Sequence, residues 1–173
     1  VNLTRFNLLF PEKRDFFLEN QGIFTFGNNS SGSSQNSTSD VPLLFYSRRI
    51  GLAGGREVPI WGGGRVTGRT GRYQFGLVNM QTKEDEAAAA PSTNFSIVRV
   101  KRDILRRSSV GVLATSRSKS QAVAAASSQA IGVDGTFAFF TNLTVATYYA
   151  RTRTEGTSGN NASYRLQTEY AGD

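Results

Sequence analysis

The chain has 173 residues and a formal charge of +7, and it contains neither Cys nor His. Zinc sites of the usual kind, Cys nucleophiles and Ser-His-Asp triads therefore cannot be built, and we expect no enzyme, no metal and no cofactor. No apolar run reaches the roughly 20 residues of a membrane-spanning helix, while the excess of Arg and Lys is compatible with an anionic partner or a pore lined by guanidinium groups.

The first residues already alternate apolar and polar side chains, which predicts a strand over Val1–Phe6. An aromatic and charged segment follows at Phe10–Glu19. Its charged residues are candidates either for a plug whose charges pair inside a lumen, or for a turn held by ion pairs in which Arg5 also takes part. The candidates are Glu12, Lys13, Arg14, Asp15 and Glu19.

Period-two patterns then recur along the chain and predict antiparallel hairpins. The first arm runs from Pro59 to Thr70, with Ile60, Gly62, Gly64, Val66 and Gly68 on one face, and Gly71-Arg72 turns it into a return strand from Tyr73. A second pair covers 94–102 and 108–117, joined by a polar segment at 103–107. A third covers 131–139 and 143–154 around Thr141-Asn142, and 164–170 begins a further arm. Arms of about ten residues have the length of tilted membrane-spanning strands.

Three connections are long and poor in large apolar residues: 28–40, 83–92 and 119–129. Such segments bury too little surface to offset the entropy of ordering them, so we expect exposed loops. In a barrel they would lie on one side, and in a soluble β-sandwich they would be ordinary surface loops. Both readings stay open at this point.

Several Arg side chains fall on strands at even spacing, and an Arg facing lipid at mid-depth costs about 2 to 4 kcal/mol. We therefore predict that they face a lumen, where they would attract anions, or lie at the membrane interfaces. The alternative is pairing with Asp134, Glu169 or carboxylates on strands beyond this segment. The candidates are Arg65, Arg69, Arg99, Arg151 and Arg153.

Aromatic residues near the predicted strand ends would form interface girdles in a barrel and a core in a sandwich. They are Tyr46, Trp61, Phe139, Phe140, Tyr148, Tyr149, Tyr164 and Tyr170. The glycines of Gly62-Gly63-Gly64 lack the Lys-Ser/Thr ending and the helix of a phosphate loop, so close approach by a plug or a neighbouring strand explains them better. The flanking basic pattern of a nucleic-acid-binding sheet is lacking, and no nucleic-acid partner is expected.

Seven blocks, taken in order, resemble the barrel-like region of the domain of unknown function 5916 family. The two most specific are Phe-Pro-Glu-Lys-Arg and Ser-Arg-Arg-Ile-Gly, and all seven are Arg5-Phe6, Phe10–Glu19, Phe45–Gly51, Val66–Gly71, Val98–Asp103, Ser108–Gly111 and Gly132–Asp134. The resemblance implies a family-nine-type carbohydrate-binding domain before this region and further barrel strands after it. It implies no catalytic residue.

The expectation from residues and resemblance together is an all-β fold of antiparallel up-and-down hairpins, with residues 1–173 forming one segment of a larger transmembrane β-barrel. The expected function is passage or capture of a solute, saccharide or anionic, in the bacterial outer membrane, with lipid and the remaining strands of the barrel as partners. The alternative is a secreted or surface β-sandwich or assembly subunit that pairs with neighbouring chains through exposed strand edges.

Overall fold

A computed structural model describes residues 12–27, 41–119, 127–156 and 161–171. Its main element is a seven-stranded antiparallel sheet in which strands that are neighbours in sequence are neighbours in space. The strands are β3 (Ile60–Thr70), β4 (Tyr73–Thr82), β5 (Thr93–Leu105), β6 (Ser108–Lys119), β7 (Ser128–Phe139), β8 (Leu143–Thr154) and β9 (Ala162–Tyr170). The prediction of antiparallel up-and-down strands is confirmed.

The hairpin turns agree with the predicted ones except at β5–β6. Gly71 adopts a positive φ of 54° between β3 and β4, which is the conformation that favours glycine. The turn predicted over 103–107 is wrong, because the strands continue to Leu105 and only Arg106-Arg107 reverse the chain. A register irregularity between Asp103 and Leu105 lets the ladder extend through this polar stretch.

The face pattern of β3 departs from the predicted alternation at its start. A bulge between Ile60 and Gly62 inserts an extra residue, so Ile60 pairs with Thr82 while Gly62 pairs with Gln81. From Gly62 onward the expected alternation holds. Ile60 therefore does not share the face of Val66, because the bulge shifts the pleat by one residue.

Short elements precede the sheet in the chain. They are the helix α1 (Asp15–Leu18), the 3-10 helices Gln21–Phe24 and Ser47–Arg49, and a two-stranded sheet of β1 (Leu52–Ala53) and β2 (Arg56–Glu57). Residues 12–27 and 41–50 are called the N-terminal cover below. The buried core lies between this cover and the sheet, and it comprises Phe17, Phe24, Phe26, Val41, Ile50, Val78, Met80, Ile97, Leu113, Tyr148 and Ala150.

The predicted long connections are described only in part. The 83–92 connection joins β4 to β5 and is closed by a bridge between Asp85 and Ala90, which leaves Ala90 buried. The segments 28–40 and 120–126 lie outside the described residues, as does the predicted strand over Val1–Phe6. Within 119–129, Lys119 ends β6 and Ser128 begins β7.

Candidate functional site

One face of the sheet, here called the apolar face, carries large apolar side chains that remain exposed. Residues paired directly across the ladder share a face, and one such row runs Val66, Leu77, Val98, Ala114, Ile131. The exposed large apolar residues of this face are Val66, Tyr73, Phe75, Leu77, Val98, Val100, Val112, Ile131, Val133, Phe139, Tyr149, Tyr164, Leu166 and Tyr170. Single exposed apolar residues are common on protein surfaces, but a contiguous exposed patch of this many residues is typical of a contact surface.

The polar groups of this face lie mainly at its margins; Thr147, inside the band on β8, donates its hydroxyl to the Arg165 carbonyl at 2.9 Å. On β4 and β5 the apolar stretch ends in a network of hydrogen bonds, in which Asn79 Nδ2 donates to Ser96 Oγ (2.7 Å) and Asn94 Nδ2 donates to Gln81 Oε1 (3.2 Å). Arg151 and Arg153 continue this margin on β8, where they pair with Ile131 and Gln129. The face thus has an apolar centre and a hydrogen-bonding end.

Charge on the apolar face has a single sign in the described strands. The ladder register assigns it only Arg102, Arg151 and Arg153 as charged residues, and no carboxylate of a described strand shares it. Arg102 lies near the β5–β6 turn with its guanidinium 5.1 Å from the centroid of the Tyr73 ring. All three cations therefore lie toward the ends of their strands.

The opposite face, called the covered face, is occupied by the N-terminal cover. Phe26 packs over β7, where Gly132 leaves room for its ring: a Cβ placed on Gly132 would lie 2.5 Å from Phe26 Cζ. Phe26 also contacts Tyr148 of β8, with ring centroids 5.6 Å apart. Of the two positions predicted for Tyr148, an interface girdle or a core, the structure shows the core, because its side chain is buried beneath the cover.

An ion pair lies beneath the cover at the centre of this face. Arg99 of β5 is fully buried and donates to both carboxylate oxygens of Asp134 on β7, at 2.5 and 2.8 Å. The Gly27 amide donates to the same carboxylate at 3.3 Å, and Arg99 Nε donates to the Ile23 carbonyl. Two-point pairing with added backbone contacts is the geometry that a buried charge requires.

The five predicted Arg candidates do not share one face. Arg65, Arg69 and Arg99 lie on the covered face, whereas the register puts Arg151 and Arg153 on the apolar face. Each of the first three is paired with a carboxylate: Arg65 with Glu19, Arg69 with Asp103, and Arg99 with Asp134. The pairing alternative, raised for Asp134, is therefore observed for Arg99.

Two of the five charged candidates of Phe10–Glu19, Glu12 and Arg14, link this segment to residues 47–50. Glu12 pairs with Arg14 at 2.8 Å and accepts a hydrogen bond from Ser47 Oγ at 2.6 Å. Arg14 donates to the carbonyls of Ser47 and Ile50, so the Phe-Pro-Glu-Lys-Arg and Ser-Arg-Arg-Ile-Gly blocks are in direct contact. Of the others, Lys13 donates its amide to Glu12, Asp15 begins α1, and Glu19 pairs with Arg65. Arg5 lies outside the described residues.

This link perturbs the carboxyl group of Glu12. Burial by itself raises the pKa of Glu12, but hydrogen bonds from the Arg14 guanidinium, the Ser47 hydroxyl and two backbone amides outweigh it and lower the pKa from 4.5 to about 2. A carboxyl with that pKa carries no proton to donate at neutral pH. The geometry therefore favours the structural role of the Phe10–Glu19 charges.

A basic depression that was not predicted from the sequence lies at the β5–β6 end of the covered face. It is open to solvent, has a volume of about 450 Å³, and is lined by Lys101, Arg106 and Arg107 together with the carboxylates Asp103 and Asp134. The side chains of Thr25, Ser109 and Thr136 also line the depression. The sequence did contain a signal for this depression: Arg99 and Lys101 lie two residues apart and therefore share a face of β5, and the Arg106-Arg107 turn follows the same strand.

In the part of the chain that the structure describes, no group of three or more Asp or Glu side chains is arranged to hold a metal ion. Among those same residues, none of the helices has the length and apolar character needed to cross a bilayer. Comparisons with protein-family models, with curated proteins and with solved structures gave no match.

Proposed function

We propose that this sheet forms part of the wall of a transmembrane β-barrel in the bacterial outer membrane, with its apolar face toward lipid and its covered face toward a partly filled lumen. The observation that carries the proposal is the exposed apolar face, whose charged residues on the described strands are three Arg near the strand ends. A charge at mid-depth on a lipid-facing barrel surface costs about 2 to 4 kcal/mol and falls to about 0 to 1 kcal/mol at the interfaces.

The dimensions of the strands support the same proposal. The strands β3 to β9 contain between 9 and 13 residues, and a tilted transmembrane strand needs about 9 to 11. The longer strands, β5 to β8, leave a short margin beyond the hydrocarbon layer, where polar and aromatic side chains would meet the lipid headgroups.

The direction of the apolar band across the ladder adds a second argument. At the end of the strands that carries the Asn79 and Asn94 hydrogen bonds, the apolar band on β4 to β7 stops at one row, from Leu77 to Ile131. On β8 that row holds Arg151, and the band begins at Tyr149. At the opposite end of the strands the limit of the band also shifts, from Tyr73 on β4 to the row of Phe139 and Leu143 on β7 and β8. A band that runs obliquely to the ladder is expected when tilted strands cross a flat apolar layer.

The covered face has the character of a lumen occupied by a plug. It combines the buried Arg99–Asp134 pair with glycine-lined contacts for the N-terminal cover, and its basic depression opens at one end. Passage or capture of a solute on this side follows as the proposed role. A saccharide as the solute rests on the family resemblance alone.

Site-directed labelling tests the proposal directly, because the chain has no Cys of its own. Single cysteines at Val98, Val112 and Val133 on the apolar face, and at Thr115 and Thr152 on the covered face as controls, would carry nitroxides in protein reconstituted into phosphatidylcholine vesicles. We expect the first set to collide preferentially with oxygen and the second with a water-soluble nickel complex.

Two results would overturn the proposal. A protein that stays monomeric and folded in buffer, without detergent and without associating with vesicles, does not present this face to lipid. A detergent-free dimer or larger assembly in which the apolar-face labels become immobile would instead support the sandwich or assembly reading, for which β3 and β9 supply the edges of this sheet.

A further inference from the structure

We infer that the basic depression binds an anionic group, phosphate or carboxylate, of a small solute. Anion binding by the depression is a property of the folded chain. The interpretation of the depression as a solute site inside a lumen rests on the proposed function. The depression is distinct from the five Arg positions singled out by sequence, because its cations are Lys101, Arg106 and Arg107.

The charge balance at this site carries the inference. Both carboxylates that line it are already paired with cations outside the lining, Asp103 with Arg69 and Asp134 with Arg99. In the described ranges no carboxylate forms an ion pair with Lys101, Arg106 or Arg107. The three cations therefore leave a local excess of positive charge, and their mutual repulsion is relieved when an anion enters.

The surroundings of the cations match an anion that belongs to a polar solute. Ser109 and Thr136, which pair across β6 and β7, bring hydroxyl groups to the lining, whereas the Thr25 hydroxyl already donates to the Gly22 carbonyl at 2.8 Å. Hydroxyl groups and guanidinium groups both donate to phosphate or carboxylate oxygens. The volume of about 450 Å³ exceeds that of a bare anion and leaves space for an attached polar body such as a sugar ring.

The buried Arg99–Asp134 pair gives the site a rigid floor. Asp134 lines the depression while it is held by Arg99 and by the Gly27 amide, so its carboxylate does not swing out to neutralise Lys101. Arg106 and Arg107 lie on the exposed turn and can approach a ligand from the solvent side. The site thus combines a fixed inner wall with exposed outer donors.

Binding can be measured by titrating the folded protein with inorganic phosphate, glucose 6-phosphate, glucuronate and uncharged glucose, while following the amide resonances of Ser109 and Thr136. We expect the anions to shift these resonances saturably in the millimolar range and glucose to leave them unchanged. Added salt should weaken binding, because the cations are partly exposed.

A charge-matched pair of variants separates a site from general attraction. Arg106→Gln with Arg107→Gln removes two charges from the depression, and Arg151→Gln with Arg153→Gln removes two from the opposite face. We expect about tenfold weaker binding in the first double variant and less than about twofold in the second. Equal losses in both, or no saturable shift with any anion, would overturn the inference while leaving the nitroxide test of lipid contact unaffected.

Discussion

Glu12 illustrates how a single carboxyl group ties the N-terminal cover together. It lies in the segment before α1, yet its partners include Ser47 and, through Arg14, the carbonyl of Ile50. Because the side chain of Glu12 is only 7% exposed, its interactions are weakly screened by solvent. Their stabilising effect depends on the carboxylate staying ionised.

The lowered pKa of Glu12 predicts a specific pH dependence of stability. Since the folded-state pKa is about 2 and the ordinary value is 4.5, Glu12 contributes fully above pH 4.5 and loses its contribution as pH falls toward 2. Glu12→Gln should lower the free energy of unfolding by about 1 to 3 kcal/mol near neutral pH. The difference between wild type and variant should then shrink through this pH window.

Urea unfolding followed by circular dichroism at a series of pH values measures this difference. Glu84→Gln, which makes the same charge change on an exposed residue of the 83–92 connection, is the control and should shift the curves little at any pH. A Glu12→Gln deficit that stays constant from neutral pH down to pH 2 would contradict the assignment.

At the scale of elements, the contact between the N-terminal cover and the sheet depends on glycines within strands. Gly132 on β7 is the clearest case, because a Cβ there would lie 2.5 Å from Phe26 Cζ and 2.7 Å from Leu44 Cδ1. Real Cβ atoms do not approach other carbons so closely, so the ring has to move if a side chain is added. Gly132 thus lets the cover lie flat on β7.

We predict that Gly132→Ala lowers the free energy of unfolding by about 1 to 3 kcal/mol through overpacking. Gly64→Ala is the matched control, since nothing lies within 4 Å of a Cβ built there, and its effect should stay within about 0.5 kcal/mol. Urea unfolding of both variants gives the comparison. If the clash with Phe26 is the cause, the double variant Gly132→Ala with Phe26→Ala should lose less free energy of unfolding than the two single variants lose in sum. Strictly additive losses would count against the clash.

At the scale of the whole molecule, the proposed lipid contact of the apolar face can be tested by placing a charge on it. Val133 is half exposed near the middle of the apolar band on β7. On a lipid-facing surface Val133→Arg should reduce the stability of the membrane-inserted protein by about 2 to 4 kcal/mol. On a water-facing surface the same change should be nearly neutral.

Thr152→Arg is the control for this prediction, because Thr152 is exposed on the other face, toward the end of β8. Reversible unfolding from phosphatidylcholine vesicles should show a loss for Val133→Arg and little change for Thr152→Arg. Equal stability of the two variants in vesicles would argue against lipid contact at β7.

Period-two alternation made most of the sheet predictable from the sequence. The alternation of Val110, Val112 and Ala114 with Gly111, Leu113 and Thr115 holds in β6, and the Gly71-Arg72 turn lies where the glycine predicted it. Such features depend on neighbours along the chain, which is the information that a single sequence contains. The bulge at Ile60 and the extension of β5 to Leu105 depend on cross-strand pairing and were not foreseen.

The sequence by itself determined the composition of the two faces and the antiparallel succession of strands, because side chains alternate strictly along an extended backbone. Only the tertiary structure decided which cations are neutralised. Arg99 and Asp134 are 35 residues apart in sequence, and β6 lies between their strands, so their pairing follows from sheet register and the cover above it. The same register separates Arg151 and Arg153 from the other three Arg candidates and leaves Lys101, Arg106 and Arg107 around the depression.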